Sequence, residues 1–436
     1  MDIWSDPTRR RWVVWVALAL GFLLVNVHRL SSAVLSEDLM RAFDATGSQL
    51  GTLHSSFFYV YAPMQVAAGV LSDRLGIRRT ATVGVLVMSL GGVAFGLAEV
   101  YPVAFLARLC IGLGASVIFI ATLRFCANWY RPDEFATMNG LTIAIAGLGG
   151  ILATTPLSVF QQTVGLRTTF FALGGTGFVI AAVVWLLARD TPADAGLEPV
   201  ENVPSSPTLS LRDVAANART VLRGRDTWLA GIALFCSTGL NLTVLGLWGV
   251  PYVSQVYDQS VTAASTTVLL GSVGLVLGPP VIGRVSDYLG VRTRLMVGGA
   301  VLYTSAFALL ALAGKPPLWS VGLVFFMVSF LAGGYALGYT VVKEGYGSGA
   351  SGVATGTVNA LAFGGAAVFP TVMGAILDAY WTGGTVGGAR VYTLFGYRLL
   401  FALAATSGFV SLGCVTWLHL RTSGTEEPET EAPAGA

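Results

Sequence analysis

Twelve long apolar runs divide this 436-residue chain, and they constrain its fold more than any other feature. A helix needs about 20 apolar residues to cross the hydrocarbon core of a bilayer. The runs are predicted at residues 12–34, 47–72, 79–99, 101–125, 134–160, 167–188, 227–256, 262–285, 293–313, 318–342, 351–378 and 396–419. Only 11% of the residues are charged, whereas a soluble domain has about 25%. We therefore expect an all-α membrane protein with twelve transmembrane helices.

The Lys and Arg residues indicate how these helices are oriented. With the N-terminus in the cytoplasm, seventeen of the 25 lie in cytoplasmic segments and five in the opposite segments. The other three, Arg29, Arg108 and Arg124, lie within predicted spans. Because short cytoplasmic loops carry an excess of positive charge, we predict a multi-pass protein of the inner or plasma membrane with both termini in the cytoplasm.

An internal repeat divides the spans into two sets of six. Residues 69–78 match residues 283–292, and the offset between Asp73 and Asp287 is 287 − 73 = 214. Two halves related by an axis along the membrane normal would explain the repeat. The predicted domains are therefore a first six-helix bundle, a central cytoplasmic loop, a second six-helix bundle and a disordered tail, at residues 1–188, 189–226, 227–420 and 421–436.

Two polar segments between spans have recognisable patterns. Apolar residues recur at helical spacing over 209–222, where Ser210 would cap the N-terminus. We predict a helix there that lies on the membrane surface. Residues 379–395 are rich in glycine and are predicted to form a longer outer loop.

Two motifs in the first half resemble signatures of the major facilitator superfamily. The loop after the second span resembles its loop 2–3 signature, in residues Gly69, Leu71, Asp73, Arg74, Gly76, Arg78 and Arg79. The fourth span resembles its helix 4 signature through Arg108, Gly112 and Gly114, with Ile111 in place of the usual Gln. This resemblance implies two six-helix bundles that expose a central solute site to each side of the membrane in turn.

The resemblance also implies roles in conformational switching. The first motif would latch the two bundles on the cytoplasmic side and favour the outward-open state, through Gly69, Asp73, Arg74, Gly76 and Arg78, with the glycines allowing close helix contact. Asp287 and Arg292 would form a weaker counterpart in the second half. Arg108 and Gly112 would couple the fourth span to the first. Alternatively, these arginines only set topology or tie helices together.

Arg29 in the first span is the sharpest candidate for substrate binding. It resembles the basic residue that organic-anion members of the superfamily carry in helix 1, and a guanidinium there can hold a carboxylate or phosphate in a bidentate manner. His28 would add a titratable donor. His28 also stands where many anion symporters have an acid, which argues against proton symport. Alternatively, Arg29 reaches the outer surface near Glu37 and Asp38.

Further polar residues within or beside the spans are candidate substrate contacts. The candidates are Tyr61, Gln65, Arg124, Asn241, Lys343 and Asn359. Arg124 and Lys343 hold similar positions in the two halves and would attract an anion to the inner mouth. Since polar side chains in lipid must point inward, each of these residues has a packing role as its alternative.

These observations together predict a secondary active transporter of a small organic anion, a carboxylate or a phosphorylated metabolite. The coupling partner, a proton or a counter-anion, is left open. The chain has no Walker loop and no Ser-His-Asp or metal-ligand pattern, so we expect neither an enzyme nor a cofactor, a metal or a nucleic-acid partner. We expect a monomer in the lipid bilayer. The alternatives are an exporter of drugs or hydrophobic compounds, and a transporter-like membrane sensor.

Overall fold

The computed structural model describes residues 6–198, 211–346 and 348–423. Its first half is helical, with α1 (Pro7–Leu30), α2 (Ser36–Phe43), α3 (Gly47–Leu75), α4 (Ile77–Leu97), α5 (Tyr101–Ala115), α6 (Ile118–Trp129), α7 (Pro132–Leu152), α8 (Thr155–Val164) and α9 (Leu166–Leu187). A short 3-10 turn, Ala193–Ala195, follows. The predicted tail at 421–436 lies outside the described residues, apart from its first three.

The second half repeats this arrangement and adds a small hairpin. Its elements are α10 (Leu211–Arg223), α11 (Arg225–Thr243), α12 (Gly249–Tyr257), α13 (Val261–Leu289), α14 (Arg292–Leu312), α15 (Leu318–Glu344), α16 (Ser348–Ala379), β1 (Trp381–Val386), β2 (Ala389–Tyr392) and α17 (Leu394–Ser423). A π-helical segment, Val244–Trp248, joins α11 to α12. Helix α10 lies where the sequence predicted a helix, while Ser210 lies outside the described residues.

Helices occupy the positions of all twelve predicted spans. Among the described residues, ten are long and apolar enough to cross a membrane, and the bent pair in α7 and α8 makes an eleventh. Helix α3, at the second predicted span, has 29 residues but is less apolar, because it carries several buried polar side chains. The α7–α8 pair is bent by 45°, and Pro156 lies in the first turn of α8, where a missing N–H does not matter.

The glycine-rich segment 379–395 is more ordered than predicted. Strands β1 and β2 pair in an antiparallel manner, with Val386 opposite Ala389. Gly387 and Gly388 form the turn with φ values of +57° and +87°, which glycine adopts without steric cost. We call the end of the molecule that holds this hairpin the hairpin side. The opposite end, where α1 begins and α17 ends, is the termini side.

The two halves touch on the hairpin side and separate on the termini side. Near the hairpin, a Cβ on Gly47 of α3 would lie only 2.9 Å from the carbonyl oxygen of Gly374 in α16. Toward the termini side, four glycines of the helices that face each other have no heavy atom within 4 Å of an added Cβ, namely Gly69, Gly140, Gly283 and Gly352. The described residues therefore form a molecule that is closed on the hairpin side.

Close helix contact is present at Gly112 and absent at Gly69. A Cβ on Gly112 would overlap the carbonyl oxygen of Phe57 and lie 2.9 Å from its Cα, so α5 and α3 meet there backbone to backbone. The close approach predicted at Gly69 does not exist in this conformation.

This difference predicts opposite effects of one substitution at the two positions. Gly112→Ala is expected to destabilise the protein by about 1–3 kcal/mol, since the rigid backbone of Phe57 must move. Gly69→Ala is the matched control and is expected to be neutral or stabilising by about 0.5–1 kcal/mol, because alanine favours the helix. Thermal unfolding in detergent measures both, and equal melting temperatures for the two variants would contradict the packing.

Candidate functional site

A cavity of about 230 Å³ lies between the two halves at the middle of the helices. Its walls come from α1, α3, α6 and α7 in the first half and from α13 and α16 in the second. The lining residues are Phe22, Asn26, Arg29, Leu30, Tyr61, Phe119, Ile143, Ala146, Gly147, Gly150, Ser272, Leu275, Val276, Pro279, Asn359 and Phe363. We call this the central cavity. Both halves contribute to it, so a change in their relative position changes its shape.

Arg29 is the one charged residue among those that line the central cavity. Its guanidinium donates to the side-chain oxygen of Asn26 and lies over the ring of Phe363, 5.7 Å from the ring centre. Its Nε is buried and has no hydrogen-bond partner in the described structure. Among the described residues, Arg29 therefore places a positive charge at the cavity without an ion pair to an acidic residue.

A chain of hydrogen bonds connects the two halves beside the cavity. The Tyr339 hydroxyl donates to the side-chain oxygen of Asn359 at 2.8 Å, and the Asn359 amide donates to Gln65 at 2.9 Å. Gln65 in turn donates to the carbonyl oxygen of Tyr61 at 3.2 Å. The structure thus brings together four of the predicted residues, Arg29, Tyr61, Gln65 and Asn359.

The structure does not bring His28 and Asn241 to the cavity. The His28 ring is fully buried on another face of α1, with its centre 6.4 Å from that of Phe170 in α9. The amide of Asn241 donates to the hydroxyl of Ser329 at 3.0 Å and so ties α11 to α15. Both side chains pack inside one half of the molecule.

Arg124 and Lys343 also lie outside the lining of the central cavity. Arg124 is half-buried on α6, and Lys343 is exposed at the last turn of α15. Arg292 forms an ion pair with Glu344, the neighbour of Lys343, and Asp287 is exposed. These residues therefore belong to the termini side.

Arg108 connects the fourth span to the first. It is almost completely buried, and its Nη2 donates to the Ser32 hydroxyl at 2.6 Å and to the carbonyl oxygen of His28 at 3.3 Å. An arginine at this depth in a membrane helix must face protein. Its observed contacts fix the end of α1 against α5.

The motif at residues 69–78 has a partner that the sequence did not reveal. The carboxylate of Asp190, which follows α9, accepts from the backbone N–H of Arg78 at 2.8 Å and fills the space beside Gly76. The Arg78 guanidinium stacks on Trp185 at 4.0 Å. Gly76 has a φ of +81°, a conformation that favours glycine. The side chain of Asp73 lies outside the described residues, and Arg74 is exposed.

On the hairpin side, Asp378 connects the two halves. Its carboxylate oxygens accept from the backbone N–H groups of Gly47 at 2.7 Å and Ser48 at 2.8 Å, at the N-terminus of α3. Arg390 forms an ion pair with the same carboxylate at 3.4 Å. Nearby, Arg41 of α2 donates to the carbonyl oxygen of Gly387 in the hairpin. We call this set the hairpin-side gate.

Glu37 lies in the same gate and is more than half-buried there. It accepts from the hydroxyl of Ser254 in the second half at 3.2 Å. Burial raises the pKa of the Glu37 carboxyl, and the negative charge of Asp38 acts in the same direction. The Ser254 hydrogen bond and Arg41 oppose this rise in pKa. The gate therefore binds a proton on Glu37 more readily than water-exposed glutamate does.

Acidification on the hairpin side is therefore expected to favour the closed gate. When the gate opens, Glu37 returns to water, where its pKa is about 4.3. The pKa of Glu37 is therefore higher in the closed gate than in the open gate. Acidification stabilises the closed gate by protonating Glu37, and this stabilisation is lost as the pH rises above the raised pKa. Distances between spin labels at Gln49 and Gln259 across the gate would report the shift.

The variant Glu37→Gln is expected to remove this pH dependence, because an amide does not titrate. Asp44→Asn is the control, since Asp44 is exposed and asparagine tolerates its left-handed conformation. If the spin-label distances in Glu37→Gln still change with pH as in the parent, the assignment to Glu37 is wrong.

Sequence reasoning missed several residues of the site and of the gate. Asn26 lies three residues before Arg29 on the same helix face, a spacing that could have suggested their contact. Ser272, Phe363 and Asp378 carry no local signal, because only the packing of α13 and α16 against the first half brings them into place.

Known transporters are similar to this chain in sequence. The chain is 26% identical over 307 residues to the probable sulfoacetate transporter SauU of Cupriavidus necator, covering 68% of this chain and 70% of that protein. It is 24% identical over 410 residues to the hexuronate transporter of Bacillus subtilis, covering 91% and 93%.

Solved structures share the fold. The crystal structure of a bacterial homologue of the human lysosomal transporter Spinster, inward-facing and unoccupied, superposes with a TM-score of 0.75 at 16% identity, covering 96% of this chain and 99% of that one. The sequence model of the Major Facilitator Superfamily matches residues 11–370 and 249–436. The chain therefore belongs to the Major Facilitator Superfamily: it is an all-α membrane transporter with two six-helix bundles and is not an enzyme.

Proposed function

We propose that this protein carries a small organic anion across the membrane by alternating access, with Arg29 binding the anionic group. The observation that carries the proposal is the free charge of Arg29 at a cavity shared by both halves. Two relatives are named as transporters of sulfoacetate and hexuronate, which are organic acids, and this supports the same class of substrate.

The chemistry of the arginine supports an anionic ligand. An arginine within a membrane span costs at least about 2.5–3.5 kcal/mol on the mildest scale, so its retention needs a compensating partner. The partners described for the guanidinium are the neutral Asn26 and the ring of Phe363. A carboxylate, sulfonate or phosphate would accept from its free donors and neutralise its charge.

The contacts between the two halves support a proposal about which side of the membrane the open end of the molecule faces. We propose that the termini side faces the cytoplasm, in line with the excess of Lys and Arg there, and that the closed hairpin-side gate makes this an inward-facing conformation. The membrane would then be the inner or plasma membrane. A single chain supplies both walls of the central cavity, which supports a monomeric transporter.

The motif residues fit a switch between states. We propose domains with limits near residues 188 and 227, and a latch at 69–78 and 283–292 that forms when the termini side closes. In the observed conformation, a Cβ added to Gly69 or Gly283 would meet no heavy atom within 4 Å. Asp190 holds one end of the first motif in place, so the motif can move as part of the first bundle.

Uptake by purified protein in proteoliposomes tests the proposal. A panel of labelled carboxylates, sulfonates and phosphate esters is offered with a proton gradient, without one, and with unlabelled anion inside the vesicles. Uptake of at least one anion supports the proposal, and its response to the gradient or the internal anion identifies the coupling partner. Transport of uncharged hydrophobic compounds alone would instead indicate an exporter, and binding without transport a sensor.

A further inference from the structure

We propose that the central cavity selects a monoanion with an apolar body, such as a medium-chain carboxylate or sulfonate, over polyhydroxylated acids and over dianions. This inference rests on the proposed role of Arg29 and adds the class of substrate. It follows from three properties of the lining: its single charge, the state of its polar groups and the chemistry of its remaining surface.

The polar groups around the cavity are few, and two of them are already engaged. Asn26 accepts from Arg29 through its oxygen and donates to the carbonyl oxygen of Phe22 at 2.8 Å. Asn359 is bonded through both its oxygen and its nitrogen, to Tyr339 and Gln65. The Tyr61 hydroxyl lies within hydrogen-bond reach of Gln65. Among the described lining residues, this leaves the hydroxyl of Ser272 as the polar side chain without a described hydrogen bond.

The remaining eleven lining residues are apolar or glycine. Phe22 and Phe119 stack with their ring centres 4.8 Å apart on one wall, and Phe363 forms part of another. Hydroxyl groups of a sugar acid that faced these rings would lose their water without gaining hydrogen bonds, which is unfavourable. An alkyl or aryl group would instead gain from leaving water.

The single positive charge of Arg29 limits how many anionic groups the ligand can carry. Arg29 can pair with one carboxylate or sulfonate, and among the described residues the cavity lining offers no second cation. A second anionic group in the cavity would therefore be buried without a partner, which costs more than the loss of a neutral hydrogen bond. The proposed selectivity thus differs from that named for the relatives, whose substrates are a dianion and a sugar acid.

Three acids with the same six-carbon chain separate these properties: hexanoate, gluconate and adipate. Binding to the purified full-length protein is measured by isothermal titration calorimetry, which avoids leakage of weak acids through vesicles. Hexanoate is expected to bind about 100-fold more tightly than gluconate, because each buried hydroxyl lacks a partner. Adipate is expected to bind about as weakly as gluconate.

A variant of the lining tests the cause of the selectivity. Leu275→Asn introduces an amide into the wall and is expected to lower the hexanoate-to-gluconate affinity ratio by about 10-fold. Leu289→Asn is the matched control on the same helix, exposed near its termini-side end and outside the cavity. It lies in the proposed latch segment, but a change in the balance of conformations acts on both ligands alike, so the ratio should be unchanged. The ratio is insensitive to partial loss of folded protein, since both ligands are measured on one sample.

The outcomes distinguish this inference from the proposed function. If gluconate or adipate binds more tightly than hexanoate, and that binding requires Arg29, the anion site stands and the proposed selectivity is overturned. If no anion of any class shows binding that depends on Arg29, the proposed function itself fails. Hexanoate binding that depends on Arg29 and falls selectively in Leu275→Asn supports both.

Discussion

Replacing Arg29 by alanine is expected to lower anion uptake about 100-fold, because truncating one partner of a buried charge pair costs about 2–5 kcal/mol. Arg29→Lys keeps the charge but loses the planar pair of donors, so we expect an intermediate loss of about 10-fold. Initial uptake rates in proteoliposomes, corrected for the amount of folded protein, measure both effects.

Arg9→Ala is the matched control, since Arg9 is exposed at the termini side and its contact with Asp6 is a surface ion pair. It should transport at the parent's rate, because such pairs contribute about 0–1 kcal/mol to stability. Unchanged uptake of an identified anion by Arg29→Ala would remove Arg29 from the substrate site.

Replacing Asp378 by asparagine is expected to open the hairpin side. The Asp378 carboxylate accepts two backbone N–H groups at the N-terminus of α3, where the helix dipole favours negative charge. Hydrogen bonds to a charged group contribute about 1.5–3 kcal/mol each. Since these bonds connect the two halves only while the hairpin side is closed, their weakening shifts the population toward the open state, by about 10-fold for a 1.4 kcal/mol change.

Spin labels at Gln49 and Gln259 would report this shift as a longer distance population in Asp378→Asn. Asp258→Asn is the control, since it makes the same change at an exposed residue on the same side without a described bond to the other half. A distance distribution in Asp378→Asn that matches the parent would show that this carboxylate does not hold the gate.

The glycine motif illustrates how far local sequence reasoning reaches. The match of residues 69–78 to a known signature identified the segment, yet the structure gives its glycines different surroundings. Gly76 has a positive φ and lies beside Asp190, whereas a Cβ added to Gly69 would meet no heavy atom within 4 Å in this state. The signature constrains a position in the fold, but the contact made there depends on which conformation the two bundles adopt.

The adjacent residues His28 and Arg29 also have surroundings that depend on the tertiary structure. Adjacent residues on a helix point about 100° apart, so the side chains of His28 and Arg29 leave α1 in different directions. The sequence identified both as candidates because of their chemistry. One face of α1 packs against α9, and His28 on this face lies within the first half. Another face of α1 borders the central cavity, and Arg29 on that face points toward the second half.

The sequence by itself determined that the chain is a helical membrane protein with two related halves. The long apolar runs and the 214-residue repeat are properties of local composition and spacing, so they can be recognised without the tertiary structure. Only the tertiary structure decided which polar residues meet. Arg29, Asn26 and Asn359 line one cavity, while Asn241 and His28 pack elsewhere and Asp378 connects the two halves on the hairpin side. The physical reason is that contacts between residues some 300 positions apart depend on how two helical bundles face each other, and no local pattern of residues encodes that geometry.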